Sequence, residues 1–197
     1  RMAGVHVHIS GEGHTPQTIR NPVNIMAAHE SQLAKAIRID RNRMNRYCRT
    51  VDPKFLEGVN RKKPRTMEEL EDLWYQTQNA DGNRYTHYNS SRYRVCNLHS
   101  FFHGHHTIEF RLFQFDCPHD GKQNGMHAGQ VKSFIQLCLA INQLAKMVRT
   151  ASPKPQQTEN EKYAMRCWML RLGFIGDEFK TAREYYLNNM EGNSAWR

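Results

Sequence analysis

The segments GVHVHIS (residues 4–10) and TIEFRLF (107–113) both alternate apolar and polar side chains with a period of two. In an extended chain that alternation sends successive side chains to opposite faces. In the first segment Val5, Val7 and Ile9 share one face, and His6, His8 and Ser10 share the other. In the second, Ile108, Phe110 and Leu112 oppose Thr107, Glu109 and Arg111. Two strands with one apolar face each need a core to bury it. Their polar faces carry imidazoles, a carboxylate and a guanidinium.

The rest of the chain supplies that core. The stretch NIMAAHESQLAKAIRI after Asn21-Pro22 carries a helical apolar stripe, and the spacing predicts a helix that continues towards Tyr47. Residues 50–65 read as a basic loop. Thr66 and Glu69 form a capping-box pattern ahead of Leu70, Leu73 and Trp74, which predicts a short helix. SRYRVCNL (91–98) reads as a strand, HSFFHGH as its turn and HTIEFRLFQF (106–115) as the next strand. AGQVKSFIQLCLAINQLAKMV (128–148) is the most apolar segment, a helix expected to lie on the sheet. A further helix is expected behind Thr158 and Glu161, and a last one over DEFKTAREYYLNNM. The expected class is α+β with a helical C-terminal part. Residues 1–150 form the main domain and 151–197 a helical extension of it.

Composition narrows the setting. The 197 residues suffice for one domain with a real core. No apolar run is long enough to span a bilayer, and no signal-peptide pattern is read at the start of the chain. Cys48, Cys96, Cys117, Cys138 and Cys167 are scattered, with no C-x-x-C pair, as expected of a reducing compartment and so of the cytoplasm. The net charge of +9, concentrated in RIDRNRMNRYCR (38–49) and NRKKPR (60–65), admits a nucleic-acid partner. It suits nucleotides or acidic substrates equally well.

The polar faces have a plain reading and a chemical one. A His-x-His strand is often just a solvated edge, and Glu109 with Arg111 can be a solvated ion pair of little energetic weight. Alternatively, two histidines and a glutamate are suitable ligands for a divalent cation, with an arginine able to grip a carboxylate or phosphate in bidentate fashion. HGHH (103–106) with Cys117 and His119 invites a zinc reading as well, but its spacing fits no standard module.

GVHVHIS, then the arginine-bearing SRYRVCNL, then TIEFRLF, in that order and with a helix between, resembles the amidoligase family. These are carboxylate–amine ligases of the glutamine synthetase superfamily. The resemblance covers about residues 3–148. It implies a glutamine synthetase-like antiparallel sheet, with ATP and Mg2+ or Mn2+ as cofactors and an acyl phosphate on the path to an amide or isopeptide bond. The partners would be a carboxylate-bearing amino acid, peptide or protein, and an amine, with no membrane. By position, His6 and Glu109 would be the metal ligands. His8 would lie towards the nucleotide phosphates and Ser10 towards the adenine end. Arg111 would bind the substrate carboxylate or acyl phosphate, and Arg94 (alternatively Arg92) the transferring phosphate. Members of the family begin with strands bearing an E-x-E-like acidic pair. This chain opens Arg1-Met2-Ala3, and Glu12 lies in a loop. The expectation is therefore a fold lacking those N-terminal strands, which an upstream segment, an oligomer or a second chain would supply. A non-catalytic remnant or partner subunit of the same fold, or a basic nucleic-acid-binding module, is the alternative.

Overall fold

The computed structural model describes residues 4–115 and 128–195. It is a mixed α/β structure around a small antiparallel sheet of β1 (Val7–Ser10), β2 (Cys96–Asn97) and β3 (Thr107–Phe110), in the order β1-β3-β2. β3 is central and pairs on both of its edges. Val7 faces Phe110, His8 faces Glu109 and Ile9 faces Ile108 across one edge. Cys96 faces Phe110 and Asn97 faces Glu109 across the other. Residues opposite one another in an antiparallel pair project to the same side, so this register brings His8, Glu109 and Asn97 to one face.

The opposite face is the core. Val7, Ile9, Cys96, Ile108, Phe110 and Leu112 are all buried there. The apolar helix α6 (Ala128–Met147) packs on β1 and on α1 (Arg20–Ala36), and Phe134 stacks on Phe113 with ring centroids 4.4 Å apart. Two C-terminal helices, α7 (Glu161–Arg171) and α8 (Lys180–Asn188), pack on each other, and α8 also meets α6 and α1. Among the described residues no helix is long and apolar enough to cross a membrane.

Several local expectations need correction. The first helix stops at Ala36, where Arg38 turns left-handed at φ 49°, and Asp40 starts a separate helix α2 (Arg41–Arg46) by accepting the Arg43 N–H. The supposed loop at 50–65 holds α3 (Pro53–Lys62). There Asp52 accepts the N–H groups of Lys54 and Phe55, and Pro53 occupies the first turn, which tolerates it. The capping box of Thr66 and Glu69 is present at the head of α4 (Met67–Thr77). The strand expected at 91–98 shrinks to two residues, and the turn after it is a short helix, α5 (His99–His103). Asn160, rather than Thr158, caps α7.

Candidate active site

Glu109 is the centre of the polar face, and it is 1% exposed. A carboxylate so deep must be matched by donors, and this one receives them from several elements. Arg111 Nη1 lies 2.7 Å from Oε1. His6 Nδ1 lies 3.0 Å and His8 Nε2 3.5 Å from the same oxygen. Asn97 Nδ2 donates to Oε2 at 2.5 Å. Because a carboxylate only accepts, the proton of His6 resides on Nδ1. Glu109 and Arg111 form a buried pair rather than a solvated one, Arg111 being 4% exposed.

Burial opposes the charge on Glu109. The hydrogen bonds from His6 and His8, the positive charge of Arg111 and the Asn97 amide outweigh it and hold the carboxyl well below the usual carboxylate range. Burial likewise lowers Arg111 from the ordinary arginine value, with Glu109 opposing and Arg92 adding to that shift. The guanidinium is fixed further by Tyr47, whose carbonyl accepts from Nε at 3.2 Å, and by the Tyr93 ring, 5.5 Å from Cζ.

His6 and His8 stand at the solvent side, 33% and 41% exposed in their side chains. His8 Nδ1 lies 2.9 Å from the Thr107 hydroxyl, which in turn lies 2.9 Å from Ser100 Oγ. With Nε2–H turned to Glu109, Nδ1 accepts, so Thr107 donates to it. Ser10 lies further along β1 on the same face, opposite Thr107, and its Oγ accepts the Glu12 N–H at 3.2 Å.

Of the arginines singled out in the sequence, Arg94 is not brought to this cluster. Its Nη2 is 2.5 Å from Asp52 Oδ2, Nη1 donates to the Thr50 carbonyl and Nε to Gln78. Arg92 is the nearer of the two. It shares the Tyr93 ring with Arg111, at 5.9 Å, and its Nη1 donates to the His87 carbonyl at 2.7 Å. Sequence reasoning missed Asn97, Ser100 and Tyr47. Thr107 was legible, as it shares the polar alternation of Glu109 and Arg111.

Arg43 on α2 adds a support from behind. Its Nη2 donates to the Arg111 carbonyl at 2.6 Å, and its guanidinium lies so close to Gly4 that a Cβ there would collide with it.

The donor types suit a divalent cation: two imidazoles and a carboxylate. Yet among the described residues no group of three or more histidines, cysteines, aspartates and glutamates is arranged to hold a metal ion. Both histidines aim at one carboxylate oxygen that Arg111 already shares. His6 and Glu109 therefore form a pair of candidate ligands, and further ligands would have to come from elsewhere. Cys117 and His119, the remaining members of the zinc reading, lie outside the described residues.

No curated protein and no solved structure matches the chain. The family model described as "Putative amidoligase enzyme" matches residues 1–142. That span takes in β1, β2 and β3, and with them every side chain that meets on Glu109. The chain belongs to the amidoligase family.

Proposed function

We propose that this chain carries the catalytic face of an ATP-dependent carboxylate–amine ligase on a glutamine synthetase-like sheet. The observation that carries the reading is the meeting of His6, His8, Arg111 and Asn97 on the buried Glu109. ATP, with Mg2+ or Mn2+, supplies the phosphoryl group that converts a carboxylate into an acyl phosphate, from which an amine displaces phosphate to leave an amide. His6 and Glu109 would contribute to holding the metal. His8, steadied by Thr107 and Ser100, and Ser10 beyond it would face the nucleotide. Arg111, whose Nη1 and Nε already go to Glu109 and the Tyr47 carbonyl, would meet a carboxylate or an acyl phosphate through Nη2. Its positive charge is preorganised, so it stabilises developing phosphate charge without reorganising.

A second reading, a non-catalytic member of the same family, has one observation in its favour. Glu109 already receives four side-chain donors, which is also what a purely structural polar core requires. One experiment separates them. The protein is incubated with ATP, Mg2+, hydroxylamine and each proteinogenic amino acid in turn, and hydroxamate and ADP are measured. The ligase reading expects hydroxamate from an acyl phosphate, matched by ADP, with at least one carboxylate. ADP release that no carboxylate stimulates, without hydroxamate, refutes it.

A further inference from the structure

A cavity of about 660 Å3 shares no residue with the Glu109 cluster. It forms where the turn before α1, the residues after α3 and those after α6 meet. Arg20, Lys63, Arg65 and Arg149 line it with Thr15 and Thr150, and among the described residues no acidic side chain does. None of the four cations pairs with a carboxylate among the described residues. The carboxylate of Glu69 is engaged instead by the backbone N–H groups of Arg65 and Thr66.

Two details show that this is more than a basic surface. Arg20 is only 5% exposed; its Nη2 donates to Thr150 Oγ1 at 3.2 Å, and its buried Nε has no partner. Nε of Arg43 and Arg92 is likewise unmatched, so what marks Arg20 is that its guanidinium lines the cavity and meets no carboxylate among the described residues. Burial lowers the Arg20 pKa from its ordinary value, which is so high that the side chain keeps its charge. Thr150, having accepted from Arg20, still has its own O–H to give. Lys63 holds the left-handed conformation at φ 50° that ends α3, a position usually left to glycine. That turn sets Lys63 at the cavity, where it adds an ammonium to the three guanidinium groups.

We propose that this cavity binds a polyanionic phosphate group, of the size of pyrophosphate or a longer phosphate chain. Three guanidinium groups and an ammonium match several phosphate charges rather than one carboxylate. The volume suits a small phosphorylated ligand. Among the described residues no aromatic ring lines the cavity, so the phosphates rather than a base are what these residues would recognise. The site is independent of the ligase reading.

The test is calorimetric titration of the full chain with inorganic pyrophosphate, free of divalent metal and at fixed ionic strength. Sulfate and citrate serve as comparison anions, and ATP as the nucleotide carrying the same phosphates. Saturable pyrophosphate binding is expected, tighter than sulfate and citrate, with ATP displacing pyrophosphate at an affinity within about tenfold of it. The Lys63→Gln/Arg149→Gln double variant, which spares the buried Arg20, should weaken pyrophosphate by about tenfold or more. The Lys132→Gln/Lys180→Gln variant, with the same change of charge elsewhere, should not. The proposal is overturned if pyrophosphate gives no saturable binding, if citrate or sulfate binds as tightly, or if ATP fails to displace bound pyrophosphate. It also fails if the two double variants behave alike.

Discussion

Replacing Glu109 with glutamine keeps the outline of the side chain and removes the one negative charge on the polar face. The cost follows from the contacts. Oε1 takes Arg111, His6 and His8, while Oε2 takes the Asn97 amide. A glutamine has one oxygen and one NH2 group, so in either orientation a donor is left facing a donor. The Arg111 guanidinium, 4% exposed, also loses its counter-charge. Unit charges about 4 Å apart attract by about 4 kcal/mol at an effective dielectric near 20. Removing one partner of such a buried pair costs about 3–5 kcal/mol, because the other stays buried and unpaired. Set against a total stability of about 5–15 kcal/mol, that is a large fraction. In urea unfolding, with a slope of about 2 kcal/mol/M, the midpoint should fall by about 2 M. The Glu109→Gln/Arg111→Met double variant should cost less than the sum of its singles by about 2 kcal/mol, since removing both charges strands neither. The deficit should also depend on pH. The folded-state pKa of Glu109 is depressed, so its contribution is present above the unfolded carboxylate value of about 4.3 and is lost as pH falls towards the folded value. A Glu109→Gln variant within about 1 kcal/mol of wild type, or a double variant whose cost is additive, would refute the reasoning.

Glu30 moves the other way. Burial raises its carboxyl to about 7, against the Val51 N–H and the charge of Arg94. What it contributes is full below the unfolded value and is lost as pH rises through about 7. Glu30→Gln should therefore gain on wild type by on the order of 3 kcal/mol between pH 4.5 and pH 8, and a pH-independent difference in urea midpoints would count against the buried-carboxyl account. Arg111→Lys keeps a charge beside Glu109 but loses the fork that also reaches the Tyr47 carbonyl. Under the ligase reading, ADP release in the hydroxamate assay should drop about a hundredfold with folding retained, and an unimpaired lysine variant would remove Arg111 from the mechanism. Thr66→Ala removes the acceptor for the Glu69 N–H, 3.1 Å away, and should lower the melting midpoint by a few degrees, equivalent to about 1 kcal/mol. No shift would mean that α4 is held by packing alone.

What could be read from the chain depended on the range of the interaction involved. The strands around His6 and Glu109 were legible because alternation with an apolar face is a local signal, and the same holds for the Thr66–Glu69 box. Asp52-Pro53 carries an equally local helix-start signal, which the surrounding basic residues obscure by giving the segment of α3 the composition of a loop. Asn97 was out of reach for another reason. Nothing near it marks it as special until the register of β2 on β3 sets it opposite Glu109. Arg94 illustrates the same limit: its direction is decided by Asp52, forty-two residues away, rather than by its own strand. The break at Arg38 replaces one long helix with two, and it is this break that allows Arg43 to reach the carbonyl of Arg111.

Gly4 contributes no chemistry, yet its missing side chain is what leaves room for the Arg43 guanidinium against the start of the first strand. Any larger residue there would have to displace an arginine that grips the backbone directly beneath Arg111. A saturation-mutagenesis map of this chain should accordingly show two intolerant positions, two residues apart in G-x-H, for different reasons: His6 for what it carries, Gly4 for what it must not. Intolerance at Gly4 should ease in backgrounds where Arg43 is shortened, since the obstruction then disappears, whereas no change at Arg43 can restore a lost imidazole. The opening of the first strand is in this sense a fitted joint between two distant parts of the chain, and its tolerance is set by the helix that presses on it.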